Sequence, residues 1–161
     1  MRKIAVITAL AALLAAAKLL PFPTADTTRL LPVRTLVMTR EDGLLTLRAD
    51  AGLSGTGTDP AQALARLENR AAGQVNPAQA EYVVMQRGTE DCLPELAQAA
   101  GLRLGSAVFL LDGDADPAAL SDYLEAWCRR QPPCRLVTVL RGGWAEAPVL
   151  RTHEGAAEAS Y

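Results

Sequence analysis

The sequence predicts a single α/β domain of the α+β kind, with a mixed β-sheet opened by a hairpin, about three helices packed on it and an N-terminal hydrophobic helix ahead of it. Three observations predict this. Two strand-like segments flank an Asp-Gly turn, short apolar runs alternate with stretches of helical period, and the order reads β-β-α-β-α-β-α-β.

The chain opens Met1-Arg2-Lys3 and then runs without a charge from Ile4 to Ala17, the charged-then-apolar layout of an export signal. That core is shorter than the roughly 20 residues of a full membrane span, but a snorkelling Lys18 extends it to Leu20. Ala15-Ala16-Ala17 supplies the small residues of a peptidase site, so residues 1–20 read as either a cleaved signal peptide or a retained anchor. Pro21-Phe22-Pro23 breaks the segment, and residues 21–30 read as a linker. No cysteine stands here to take a lipid. The expected location is the outer side of the cell membrane, or the exterior if the signal is removed.

Residues 31–152 read as one extracytoplasmic domain and 153–161 as a tail, a length that buries one core. A net charge of -2 gives no basic surplus for a nucleic-acid partner. Aromatic residues at 4% leave little material for stacking bases or sugars. Nucleic acid is therefore not an expected partner.

The hairpin is expected from Val33–Thr39 and Leu44–Ala49, with Glu41-Asp42-Gly43 between them. Gly52 to Thr58 reads as a flexible loop. Asp59-Pro60 then starts a helix, with Gln62 in the capping-box position, an apolar face of Ala61, Leu64, Ala65, Leu67, Ala71 and Ala72, and Gly73 at its end. Tyr82–Met85 fits a buried strand, Asp91–Ala100 a helix with Pro94 in its first turn, and Ser106–Leu111 a second buried strand. Asp116-Pro117 repeats the cap-and-proline start, and Leu120, Tyr123, Leu124 and Trp127 keep helical spacing behind it. Leu136–Leu140 is expected to close the sheet, Val149–Thr152 to add an edge strand, and Gly155–Tyr161 to fray.

Candidate chemistry is sparse. The segment containing Gly52, Gly55 and Gly57 lies between a strand and a helix, where phosphate-cradling loops lie. It lacks the Walker lysine and the dinucleotide glycine spacing. Asp112, Asp114 and Asp116 alternate like the opening of a calcium loop, yet Pro117 holds the glycine position and Tyr123 the bidentate glutamate position. These six residues form the candidate ligand loops. Cys128 and Cys134 close a tight loop over Pro132-Pro133 and are a candidate disulfide, two buried thiols being the other reading. A zinc site would have to recruit both Cys92 and His153. His153 is the sole histidine, so a serine or cysteine nucleophile would take its base from there. Arg129 and Arg130 read as caps on the dipole of the helix ending near Trp127. No catalytic residue, metal ligand or cofactor site is assigned.

From Leu31 to Leu140 the order of features resembles the N-terminal domain of the spore germination receptor C-subunit family, the Ger(x)C lipoproteins. Leu31-Pro32 leads into a strand, followed by a second strand and a glycine-rich loop. Next come a helix carrying Gln62-Ala63-Leu64-Ala65-Arg66-Leu67-Glu68, a short strand in Tyr82-Val83-Val84-Met85-Gln86-Arg87-Gly88, a helix and another strand. The resemblance implies a non-enzymatic protein on the outer face of the spore inner membrane, assembled with integral-membrane germinant-receptor subunits. The family's lipidated cysteine and further domains have no counterpart in the sequence, which therefore reads as a shortened relative anchored by its hydrophobic segment. Gln79-Ala80-Glu81 replaces a histidine frequent in the family before the third strand. The alternative is an exported small-molecule or calcium binding module using the glycine segment or the aspartate turn.

Overall fold

The computed structural model describes residues 31–71, 75–153 and 156–160. The hydrophobic segment and linker, Ala72 and Gly73 at the expected helix end, and Gly155 and Tyr161 of the expected tail lie outside the described residues.

A short strand β1 (Leu31–Pro32) pairs in parallel with β5 (Val75–Asn76) beside the main sheet. The hairpin forms as its turn chemistry predicts. β2 (Thr35–Glu41) and β3 (Leu44–Ala49) pair with Met38 opposite Leu47, and Asp42 and Gly43 both take the positive φ angles of a type I′ turn, +50° and +78°.

The expected flexible loop at Gly52, Gly55 and Gly57 is instead strand β4 (Leu53–Gly57), antiparallel to β3. Its glycines are small because helix α1 (Pro60–Arg70) lies against them. A β-carbon on Gly57 would meet the Ala63 nitrogen at 2.5 Å. Asp59 accepts the Gln62 N–H at 2.7 Å, and the Gln62 side chain accepts the Thr58 N–H at 3.2 Å, a capping box shifted back by one residue. The buried face of α1 is Pro60, Ala63, Leu64, Leu67 and Ala71, while Ala61 and Ala65 face solvent.

β6 (Tyr82–Gln86), α2 (Leu93–Ala100), β7 (Ala107–Asp112) and α3 (Pro117–Cys128) follow where the apolar periods place them. A 3₁₀ turn, Glu90–Cys92, leads into α2 and leaves Pro94 in its first turn. Asp116 caps α3 ahead of Pro117, accepting the Ala118 N–H at 3.4 Å.

Leu136–Leu140, expected as a strand, is the short helix α4. The outer edge of β7 is already taken. Val108 donates to the Cys134 carbonyl at 2.9 Å and Leu110 to the Pro148 carbonyl at 2.9 Å, so the chain between must loop away. It coils so that Leu136 and Val139 turn to the core three residues apart.

β8 (Val149–His153) joins β7 in parallel, and it is an interior strand rather than an edge. The expected frayed tail supplies its far partner, β9 (Ala156–Ser160), antiparallel with Leu150 opposite Ala159.

The seven-stranded order is β4-β3-β2-β6-β7-β8-β9, parallel from β2 to β8 and antiparallel at both margins. Side-chain alternation divides the core in two. Leu36, Met38, Val83, Met85 and Val108 pack with α1, α2 and α4 on one face. Val37, Val84, Phe109 and Leu150 pack with Leu120, Leu124 and Trp127 of α3 on the other. Phe109 and Trp127 meet edge to face, centroids 5.3 Å apart. Among the described residues no helix is long and apolar enough to cross a membrane.

Candidate functional site

Open α/β sheets take ligands outside the carboxyl ends of parallel strands, at the point where successive helices leave to opposite faces. Here that point lies between β6 and β7, because α2 covers one face and α3 the other. The loops that meet there are Arg87–Thr89 and Gly113–Asp116.

The side chains at this point are exposed or half-buried and bond to one another and to the loops. The Gln86 amide accepts the Arg40 N–H at 2.7 Å and reaches the Gly113 carbonyl at 3.5 Å. The Arg40 guanidinium donates to the Gly88 carbonyl at 2.9 Å and stands 3.6 Å from Asp91. Arg87 pairs with Asp112 at 2.8 Å, and Arg151 approaches the other oxygen of the same carboxylate at 4.0 Å.

The three aspartates of the candidate calcium loop therefore have separate duties. Asp112 serves Arg87 and Arg151, Asp114 pairs with Arg48 of β3, and Asp116 caps α3. They do not converge. Among the described residues no group of three or more His, Cys, Asp or Glu side chains is placed to hold a metal ion.

Beside this edge, a cavity of about 420 Å³ opens between α3 and the β8–β9 pair. Asp114, Asp116 and Thr152 give it polar atoms and Ala115, Leu120 and Ala157 an apolar wall. Tyr123 also lines it, its hydroxyl accepting the Ala159 N–H at 2.6 Å. The glycine segment is remote from it: Gly55 and Gly57 lie under α1, and Gly52 occupies the turn before β4.

All three cysteines are free thiols, so the candidate pairing of Cys128 with Cys134 is not made. The sheet separates them. Cys134 is buried in the core beneath α1, α2 and α4, whereas Cys128 packs against the core beneath α3. Burial pushes the thiol pKa up at all three, and Asp91 adds to the rise at Cys92, whose sulfur lies 3.1 Å from Arg40. His153 ends β8, opposite Ala156.

At the amino end of the sheet, a polar network joins β2, β3 and α3. Ser121 lies 2.7 Å from the Thr35 hydroxyl, donates to Asp50 at 3.1 Å and touches the Pro117 carbonyl at 3.1 Å. Asp50 in turn accepts the Arg34 N–H at 3.2 Å. The Arg34 guanidinium donates to Glu125 at 2.7 Å and lies 3.7 Å from Glu81. The hydrogen bond to Arg34, and then the charge of Arg129, hold the Glu125 carboxyl below its ordinary pKa. One signal in the sequence pointed to this network: Ser121 falls on the buried face of α3 between Leu120 and Leu124. Its partners lie 71 and 86 residues away, beyond any local pattern.

Comparison of the chain with models of known families, with curated proteins and with solved structures finds no match.

Proposed function

We propose that this chain is a non-enzymatic, membrane-tethered extracytoplasmic module related to the C-subunits of spore germinant receptors, working by protein–protein contact in sporulation or germination. The observation that carries the reading is the bonding of side chains to one another at the carboxyl ends of β6 and β7. Where an α/β enzyme admits substrate, Gln86, Arg40, Arg87 and Asp112 bond to one another and to the adjoining loop carbonyls. Part of the order behind the family resemblance also supports it, since β2, β3, α1, β6, α2 and β7 follow in that order, with strand β4 where the resemblance has a glycine-rich loop. The chain's opening, Arg2-Lys3 followed by an apolar run, supplies the tether.

The test is fractionation of spores followed by affinity capture of the full chain. It is expected in the inner-membrane fraction, retained through salt washing, with integral-membrane receptor subunits in the eluate. Recovery from the cytosol without membrane partners would overturn the proposal.

A second reading, small-molecule binding, is favoured by the cavity between α3 and the β8–β9 pair. Its volume falls within the usual range for ligand pockets, and Asp114 and Asp116 are among its lining. A ligand with a cationic amine and a small apolar body suits that lining. Screening amino acids and small amines by thermal shift tests it, because a ligand bound only by the folded state raises the midpoint.

A further inference from the structure

A second hollow lies at the opposite end of the sheet. It measures about 380 Å³ and opens between the loops that precede β6 and β7 and the segment leading into α4. Arg103 and Arg135 line it from two of these loops, with Tyr82, Ser106, Gln79 and Glu81 completing its polar lining. Arg135 donates to the Gly105 carbonyl at 2.6 Å and Arg103 to the Gln79 side chain, so each guanidinium is braced against the rim. A guanidinium carries five N–H donors in a planar fork suited to phosphate oxygens, so each retains donors after its rim bond. The Ser106 hydroxyl is committed to the Ala80 carbonyl at 2.7 Å. Glu81, the carboxylate of the lining, is drawn towards Arg34 at 3.7 Å. Burial raises the Tyr82 pKa, so its phenol stays protonated and able to donate.

The surroundings are mixed in sign, with Glu125 held between Arg34 and Arg129. Arg129 and Arg130 follow α3 at this end, and Leu104, 59% exposed, stands next to Arg103. The opposite end carries Asp112, Asp114 and Asp116. Leu31 precedes β2, and Arg34 contacts Glu81 ahead of β6, so the sequence ahead of Leu31 joins the domain at this end.

From the hollow, its two braced arginines and the point where the chain enters, we infer that this end of the sheet faces the membrane and that Arg103 and Arg135 bind the phosphate of an anionic lipid headgroup. The inference rests on the tethered reading above. It adds an orientation: the hollow lies on the lipid, and the loops after β6 and β7 and the cavity beside α3 point away from it. Exposed leucine beside arginine suits the bilayer boundary, and basic residues near an anionic surface gain from its potential.

The test uses the full chain in neutral maltoside micelles doped with phosphatidylglycerol or, at equal mole fraction, with phosphatidylcholine. Phosphatidylglycerol is expected to raise the unfolding midpoint by about 3 °C or more, an effect that weakens with salt, and phosphatidylcholine to leave it unchanged. The R103Q/R135Q variant is expected to lose the shift, and R129Q/R130Q to keep most of it. Should the first variant fail to fold, R103Q alone is expected to lose at least half. Equal responses to both lipids, or a full shift in R103Q/R135Q, overturns the inference. So does a shift reproduced in full by soluble glycerol phosphate without lipid, which would make the hollow a site for a free phosphate. Partition of the full chain into water after alkaline carbonate extraction of membranes would sink the tether itself. That result is independent of any micelle measurement.

Discussion

Gly55 and Ala63 touch so closely that a β-carbon on Gly55 would stand 2.1 Å from the Ala63 carbonyl oxygen and 2.4 Å from the Leu67 nitrogen. Neither neighbour is a side chain that can swing aside, so helix α1 itself would have to move. Gly55→Ala is expected to destabilise the fold by about 3 kcal/mol, at the upper end of overpacking costs, as a lower urea midpoint. Gly105→Ala, at a position open to solvent, is expected to change little. Equal midpoints for the two variants would refute the packing account of β4.

The buried Ser121 hydroxyl links Thr35 of β2 to Asp50 beyond β3. Ser121→Ala leaves the Thr35 hydroxyl without that partner in a buried place, at an expected cost of about 1–2 kcal/mol. Paired with Thr35→Val, which removes the stranded hydroxyl as well, the loss should be smaller than the sum of the two single changes. Strict additivity would show that the two residues do not interact.

Glu125 links stability to pH. Its carboxyl is held low by the hydrogen bond from Arg34 and then by the charge of Arg129, so the folded state binds its proton less readily than the unfolded chain. The stabilisation is therefore fully present above the unfolded glutamate pKa of about 4.3 and is lost as pH falls through the lower folded value. Glu125→Gln should flatten that part of the acid limb and leave the slope above pH 6 unaltered. An acid limb identical to that of the parent protein would mean that the pair contributes nothing.

The thiols offer a chemical test. Protein prepared without reductant should release three thiols on denaturation, because all three cysteines are free. In the native state labelling by iodoacetamide should be slow, since burial raises each thiol pKa, with Cys128 reacting first because it is the least buried. One thiol on denaturation, with a mass 2 Da lower, would show a disulfide instead, and peptide mapping would tell whether it joins Cys128 to Cys134.

What the sequence made legible was local. Asp42-Gly43 announced the hairpin, Asp59-Pro60 and Asp116-Pro117 announced α1 and α3, and the apolar runs of β6 and β7 announced the buried centre. The misreadings occur where a neighbour distant in sequence decides. Gly55 and Gly57 resemble loop residues until α1 lies on them, and the β-prone run Leu136–Leu140 coils because other segments already hold the edge of β7. The small residues of β9 carry no strand signal without β8 beside them. At the candidate site the aspartates could be seen in the sequence, but their arginine partners come from β3, from β8 and from the turn after β6.

The outer edge of β4 is guarded by two long side chains. Arg66 donates to the Thr56 carbonyl at 2.6 Å and Arg70 to the Ser54 carbonyl at 2.9 Å, occupying acceptors that another strand would use. The R66S/R70S variant is expected to stay folded but to aggregate faster on agitation, read by light scattering. Unchanged aggregation would show that the arginines do not protect this edge.

The strand order also allows the sheet to be assembled in chain order. β3 forms on β2 and β4 on β3, then β6 takes the open side of β2, β7 that of β6, β8 that of β7 and β9 that of β8. Among the described residues no strand has to wedge between two that are already joined. The sheet can therefore be laid down in the order in which the chain is threaded out of a narrow exit, with each segment finding its place prepared and β9 closing the last exposed flank of β8.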